Sequence, residues 1–463
     1  MNFINRTKEL ESLRKEFGRE GSSLYILYGR RRLGKTTLLR EFSKSIPSIY
    51  YLADQSLDRE NIQSLARTIA LSLNEPTFDS VFYPTWYALF DSLDRIRHHQ
   101  KICLILDEYP YLCGSNPALS SILQKQWDEH WEHGSIMVVL NGSALSMMYK
   151  ETLQPNSPLF GRRTSQLCLQ PFHFWDSAKF FPNLSTIEQV KMFSITGGVP
   201  YYCHLASRYT SSRVALTELM LTRDGPLRME PKFLLKEEVT DPKTYWSLLS
   251  VIGKGANRIS EIASKLGLAA NQLTSYLSAL MDMAYIYREI PITEKNPAKS
   301  KKGLYKLGDP FLKLWFSQIL PYESWIEMDK SKAVWNLLAD KLPLHESICF
   351  EMICKEYLQY RVSLPPEIRI GRYWDKEKEV DVLGMDQLDR LYFSAECKWQ
   401  QKPIGIQTYQ ELEEKTNQLT LAKHPDFSYY LFSGYGFTKE LQELAKKNPI
   451  QLIGLEELYQ SRI

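Results

Sequence analysis

Five short, almost wholly apolar runs punctuate the first third of the chain: SLYILY (23–28), SIYYL (48–52), ICLIL (102–106), IMVVL (136–140) and LCL (167–169). Helix-length segments separate them. Runs apolar on both faces, spaced this way, predict parallel strands covered by helices on each side. The pattern then changes. Residues 171–238 read as helical, with breaks at GGVP (197–200) and GP (225–226). Residues 239–308 predict a small helical unit ending in a hairpin, with the lysine-rich stretch EKNPAKSKKG (294–303) inside that hairpin. Residues 309–340 carry Trp315, Trp325 and Trp335 at helix-compatible spacing and read as a packed connector. From 341 to 463 helix and strand signals alternate again. The order there is helix 344–360, strands 364–372, 377–385 and 391–398, helix 406–423 and strand 427–432.

The 463 residues suffice for two to four domains, each with its own core. Lys+Arg 57 against Asp+Glu 54 leaves a net charge of +3, so a surface for nucleic acid has to be local. No apolar run approaches the roughly 18 residues of a membrane span. The opening MNFINRTKELESLRKEF is too charged for a signal peptide. The cysteines, at 103, 113, 168, 203, 349, 354 and 397, form no CxxC pair. Neither a zinc site nor a disulfide framework is therefore expected, and a reducing cytoplasm is the expected setting.

Chemistry enters at GRRRLGKT, Gly29 to Thr36, between the strand 23–28 and the helical stretch TTLLREFSKS. It fits G-x-x-x-x-G-K-[ST] in the strand–loop–helix context that a phosphate-binding loop requires. Gly29 and Gly34 let backbone N–H groups approach phosphates, and the helix N-terminus adds partial positive charge. Arg30, Arg31, Arg32 and Leu33 fill the loop, and Thr37 follows it. Lys35 is expected to reach the β- and γ-phosphates of ATP, and Thr36 to hold Mg²⁺. ICLILDEYPYL (102–112) ends a strand in Asp107 and Glu108. Open α/β sheets place ligands at that end. Asp107 is expected to bind Mg²⁺ through water and Glu108 to act as general base on the attacking water. Asn141 ends the next strand; it either orients that water or simply builds an Asn-Gly turn. Arg162 and Arg163 either meet the γ-phosphate, within one subunit or across an interface, or are solvated.

Together these residues resemble the AAA+-related archaeal-type ATPases of the STAND group. The resemblance begins at FINRTKELESL (3–13), similar to that family's opening F-x-x-R-x-x-E-L-x-x-L, and runs through GRRRLGKT, LILDEYPYL, LNGSALSMM, PLFGRRT and GGVPYY, over roughly 1–235. It implies a P-loop ATPase core over 1–170 with a helical lid over 171–238. It also implies that Asn5, Arg6 and Pro200 lie beside the adenine, and that the chain self-associates as a homo-oligomer.

Residues 244–307 read as a winged helix-turn-helix. Ser260 and Asn271 are the expected helix caps, and Leu273, Leu277 and Leu280 the apolar face of the second helix. Gln272, Thr274 and Ser275 are then expected to face outward toward DNA bases, and Lys295, Lys299, Lys301 and Lys302 to reach phosphates. That second helix has no Arg or Lys, so the unit equally suits a packing module between two domains.

In the last domain FEMICKEYL carries Glu351 on a helix, EVDVLG carries Asp381 on a strand, and SAECKWQ carries Glu396 and Lys398 on the next. A period of two puts Glu396 and Lys398 on one face, with Asp381 on the partner strand of a hairpin. Two converging carboxylates, Asp381 and Glu396, suit Mg²⁺, and Lys398 suits assistance to an attacking water. This arrangement resembles the PD-(D/E)xK, restriction-endonuclease-like α/β fold. IGRYWDKEKEVDVLG and AECKWQ resemble a nuclease-like domain of unknown function fused to STAND-type archaeal ATPases; the likeness covers about 310–463. That family has a Gly before the helical carboxylate, where this chain reads HESICFE, so Glu346 is a second candidate beside Glu351. The expectation is an ATPase coupled to a DNA-directed, Mg²⁺-dependent nuclease, or else a regulatory switch whose nuclease fold is inactive. The aromatic connector is a candidate surface for a protein partner.

Overall fold

The computed structural model describes residues 3–96, 100–239 and 241–459. The chain forms two compact units, Met1–Pro171 with Phe233–Thr240, and Phe172–Lys232 with Asp241–Ile463.

The first unit is built on β1 (Ser23–Tyr28), β2 (Ser48–Leu52), β3 (Ile102–Asp107), β4 (Ile136–Gly142) and β5 (Ser165–Cys168). They pair in the order β2-β3-β4-β1-β5, all parallel. Every residue of β3 and β4 is buried, which is why these strands read as unbroken apolar runs. The fifth strand starts two residues before its apolar run and ends one before it, because Ser165 to Cys168 are the residues that register on Tyr25 to Tyr28. Helices Asp58–Leu73 and Trp86–Ile96 pack an aromatic cluster of Trp86, Phe90 and Trp131. The Trp86 indole N–H donates to Asp58 Oδ1 at 2.7 Å, which satisfies its polar atom.

Register does the positioning. Leu27 pairs with Asn141, Leu106 with Leu140, and Leu52 with Asp107. The loop after β1, Asp107 at the end of β3, and Asn141 near the end of β4 therefore share one edge of the sheet.

In the second unit, helices Pro242–Gly253, Ile259–Leu266 and Ala270–Asp282 precede an antiparallel pair, β6 (Ile286–Glu289) and β7 (Leu304–Leu307). Leu273, Leu277 and Leu280 are buried, while Gln272, Thr274 and Ser275 are exposed, as the helical period requires. The expected caps differ. Ser260 and Asn271 lie inside their helices, whose N-caps are Arg258 and Ala269. Glu261 and Gln272 reach back instead, accepting from the N–H groups of Arg258 and Ala269 at 3.4 and 3.1 Å. Lys295, Lys299, Lys301 and Lys302 are exposed on the connection between β6 and β7.

The C-terminal part opens with helix Leu342–Tyr360, then β8 (Arg369–Trp374), β9 (Glu379–Met385) and β10 (Leu391–Lys398). Helix Ile406–Asn417, β11 (Lys423–Ser433) and β12 (Ile450–Ile453) follow. The sheet order is β12-β11-β10-β9-β8. β8, β9 and β10 are antiparallel neighbours, and β11 and β12 are parallel additions. The first of these strands starts at Arg369 rather than 364, since Pro365 and Pro366 have no N–H to give a ladder. The helix expected to reach 423 ends at Asn417, because Leu391 N–H bonds to Ala422 O and Lys423 already pairs with Leu391.

Among the described residues no helix is long and apolar enough to cross a membrane. The seven cysteines are free.

Gly29 is held at φ +147°, and a Cβ there would meet Leu169 O at 2.6 Å. Gly29→Ala is expected to destabilise this edge of the first unit by about 1–3 kcal/mol. Hydrogen exchange is the check: peptides covering β1 should exchange faster in the variant, and peptides covering β9 and β10 should not change.

Candidate functional sites on the two sheets

The loop Gly29–Gly34 bends over the start of helix Lys35–Ser43, with Arg32 at φ +71° and Gly34 at φ +83°. Lys35 is buried, and its Nζ donates to the carbonyls of Gly29 at 2.7 Å and Arg30 at 3.0 Å. Burial pulls its ammonium down to about 8, against the opposing charges of Glu108, Glu238 and Asp107. Arg30 and Leu33 are also buried, and Thr37 is exposed. Arg6 ties the opening segment to this loop. Its guanidinium donates to Leu33 O at 3.3 Å and Gln170 O at 2.8 Å, and pairs with Glu9 at 2.8 Å. Asn5, at φ +50°, accepts from the Thr7 hydroxyl.

Asp107 is fully buried at the end of β3. Thr36 Oγ1 donates to its Oδ2 at 2.8 Å, and the Glu108 N–H to its Oδ1 at 2.9 Å. The Tyr50 hydroxyl and Asn141 Nδ2 also donate to it. A hydroxyl and a carboxylate so joined are the hard oxygen donors that Mg²⁺ prefers, so the residues fit that ion. Asn141 Oδ1, turned the other way, is buried with no hydrogen-bond partner among the described residues. Glu108 sits at φ +56°, a conformation unusual outside glycine, and its carboxylate accepts from Ser143 Oγ at 3.0 and 3.1 Å. Ser143 and Tyr50 had no signal in the sequence beyond their strands; register alone brings them here.

Arg31 turns to a segment far away in sequence. It pairs with Glu237 at 2.7 Å and donates to the Tyr111 hydroxyl at 2.9 Å, while its N–H lies 3.5 Å from Glu238 Oε1. Glu238 is 2% exposed, and Ser146 Oγ donates to its backbone carbonyl at 3.1 Å. A buried carboxylate thus stands against the phosphate loop. The structure does not join the arginine pair to that loop. Arg162 makes a two-pronged pair with Asp128 at 2.7 and 2.8 Å, and Arg163 donates to Leu153 O. Pro200 opens helix Pro200–Ala206 in the second unit, after Gly198, where a Cβ would strike Phe172 O at 2.1 Å.

The second sheet gathers its own charged cluster. The register Ala395↔Val382 sets Glu396 across from Asp381, whose Oδ2 accepts from the Cys397 N–H at 2.8 Å. Lys398 Nζ bonds Glu396 Oε1 at 2.6 Å. Lys415, from helix Ile406–Asn417, lies 3.4 Å from the same oxygen; the sequence reading missed it, since only helix packing brings it near. Burial, with the charges of Glu396 and Glu351, holds the Asp381 carboxyl well above the usual carboxylate range. Burial raises Glu351 as well, opposed by Arg372, Lys306 and Lys313. Glu351, Glu396 and Lys398 therefore each act electrostatically on Asp381. Glu346 is engaged elsewhere, accepting from the Trp399 indole N–H at 2.9 Å. Among the described residues no group of three or more His, Cys, Asp or Glu side chains is arranged to hold a metal ion.

A five-stranded parallel sheet whose first strand runs into G-x-x-x-x-G-K-T, with an acidic strand end beside it, defines a P-loop ATPase fold. Residues 3–205 match an ATPase domain predominantly from Archaea, and residues 315–416 match a family described as Archaea bacterial proteins of unknown function. The uncharacterized protein MJECL04 of Methanocaldococcus jannaschii is 31% identical over 411 residues, covering 86% of this chain and 87% of that protein. The chain belongs to the same family of archaeal-type ATPases as that protein. The uncharacterized ATP-binding protein MJ0423 of the same organism is 50% identical over 40 residues, 9% of this chain and 68% of that protein. The Walker-type ATPase PABY2304 of Pyrococcus abyssi shares the fold at TM-score 0.53 and 20% identity, over 68% of this chain and 96% of that one.

A carboxylate against the loop repels an incoming triphosphate. Glu238→Gln is expected to tighten ATP binding by several-fold, read by titration calorimetry at neutral pH. Unchanged or weaker binding would show that Glu238 does not oppose the phosphates.

Proposed function

We propose that this protein is an ATP-hydrolysing switch whose nucleotide state controls a DNA-directed, Mg²⁺-dependent nuclease-like domain. The observation that carries the ATPase half is the 2.8 Å contact between Thr36 and Asp107, with Glu108 held beside it. Lys35 holds the β- and γ-phosphates, and the N–H groups of the loop Gly29–Gly34 line them. Thr36 and Asp107 are the residues for Mg²⁺, which would offset phosphate charge when bound. Glu108 takes the proton of the attacking water, and the unpartnered Asn141 Oδ1 accepts that water's second hydrogen. Asn5, Arg6 and Pro200 serve the adenine on the strength of family resemblance.

In the second unit, three helices followed by a two-stranded hairpin support the winged-helix reading. The outward Gln272, Thr274 and Ser275 and the exposed lysines 295, 299, 301 and 302 support DNA contact. Asp381 and Glu396 would be the carboxylates for a second Mg²⁺, Lys398 would orient a water, and Glu351 would be the helical carboxylate of the PD-(D/E)xK set. Residues 1–170, 171–238, 239–308, 309–340 and 341–463 would then be core, lid, winged helix, connector and nuclease-like domain. Self-association, and a protein partner on the connector, extend the same reading in a cytoplasmic setting.

A second reading, a switch with an inactive nuclease fold, is favoured by one observation. Lys398 and Lys415 both close on Glu396, supplying the positive charge a cation would otherwise bring.

Lys35→Ala is expected to abolish ATP binding. Glu108→Gln is expected to keep binding and to lose hydrolysis by about 10²- to 10⁴-fold, read by phosphate release. Normal turnover by either variant would overturn the ATPase assignment. Supercoiled DNA with Mg²⁺ or Mn²⁺, with and without ATP, separates the two readings of the nuclease-like domain. Cleavage that Asp381→Ala removes supports the active one, and no cleavage by the unaltered protein under any condition supports the inactive one.

A further inference from the structure

We infer that the second unit carries a stacking pocket for one unpaired nucleotide of a nucleic-acid strand, adjoining the Asp381–Glu396–Lys398 cluster. This rests on the nucleic-acid direction proposed for that domain. A cavity of about 330 Å³ is lined by Lys191, Arg213, Trp335, Glu346, Trp399 and Tyr435 among others. It is within the range of sites that enclose small ligands.

Trp399 is one residue beyond Lys398, so the chain passes directly from the charged cluster to the cavity wall. Its ring is fixed. The indole N–H bonds to Glu346, Phe350 packs at 5.1 Å, and Tyr435 meets it edge-on at 5.6 Å. Gly434 makes room for it, since a Cβ there would lie 2.4 Å from the ring. Trp335, from helix Ser331–Leu338, supplies a second ring, with the Arg213 guanidinium held over it at 4.8 Å. Lys191 pairs with Glu188 at 3.5 Å along the same wall.

The aromatic and charged parts of this lining have counterparts in a nucleotide. Aromatic rings and an arginine plane are surfaces on which bases stack. Arg213 and Lys191 suit a phosphate. Glu346, whose Oε2 takes the Trp399 indole N–H, can accept through Oε1 from the exocyclic amino group of adenine, cytosine or guanine. A base inside a duplex is stacked on its neighbours and cannot enter, so the ligand is unpaired.

The test uses the full-length protein in EDTA, which prevents metal-dependent cleavage. A fluorescent single strand of mixed sequence, the matching duplex and free dAMP are the probes. Trp335→Ala is expected to weaken single-strand binding at least fivefold, within the roughly 5- to 150-fold that one stacked base contributes. Duplex binding should stay within about twofold. Trp335→Phe, which keeps an aromatic face, should retain most of the affinity. Equal losses for strand and duplex, or none for either, would overturn the pocket while leaving nucleic-acid binding intact. Free dAMP that displaces the strand completely at equal concentration would overturn the assignment to a strand. If the unaltered protein binds neither strand nor duplex at low salt, the nucleic-acid reading falls, and the pocket with it.

Discussion

The first unit is organised around the buried carboxylate of Asp107. A carboxylate group out of water is tolerated only when its polar atoms are hydrogen-bonded. Here they are bonded by four groups from four places: Thr36 on the helix after the phosphate loop, Tyr50 on β2, Asn141 on β4 and the backbone of Glu108. Each bond fixes one neighbour at the sheet edge where nucleotide chemistry takes place. Leaving one such partner unsatisfied costs about 1–3 kcal/mol, enough to misplace the others. The left-handed backbone of Glu108 is one product of this arrangement. Its N–H is drawn to Asp107 while its carboxylate is turned to Ser143.

The second sheet handles charge differently. Asp381 and Glu396 lie opposite each other across an antiparallel pair, and Glu351 adds a third negative group. Mutual repulsion and burial favour protonation of Asp381, while Lys398 and Lys415 close on Glu396. Carboxylates brought this close need positive charge beside them, and here lysines supply it. How firmly the two ammonium groups of Lys398 and Lys415 hold the Glu396 carboxylate therefore decides whether its oxygens are open to another partner. Just beyond them the chain turns into the fixed ring of Trp399, where charge gives way to aromatic surface.

Much of this was legible in the sequence. The apolar runs matched β1, β3 and β4 to within two residues, because a strand buried on both faces has few polar positions to blur its ends, whereas the half-exposed β5 was displaced from its run. The phosphate loop was legible because its glycines answer a backbone requirement, seen at Gly29 and Gly34. Asp381, Glu396 and Lys398 could be grouped because a strand has period two and a hairpin has a register. Helix starts were misjudged where one local device displaced another: Ser260 and Asn271 lie inside their helices, and Glu261 and Gln272 reach back three residues to the N-cap N–H groups.

What tertiary structure alone decided is which distant groups share a site. Tyr50 reaches Asp107 because β2 pairs with β3, and nothing in SIYYL singles out that tyrosine from its neighbour. Glu238 comes to the phosphate loop from some 200 residues away, and Lys415 reaches Glu396 from a packed helix. Arg162, read as a candidate for the γ-phosphate, is claimed by Asp128. The sequence by itself determined the elements and their chemistry, since periodicity and backbone demands are local. The partners of each charge were settled only by register and packing, because electrostatic contact depends on distance in space and not on distance along the chain.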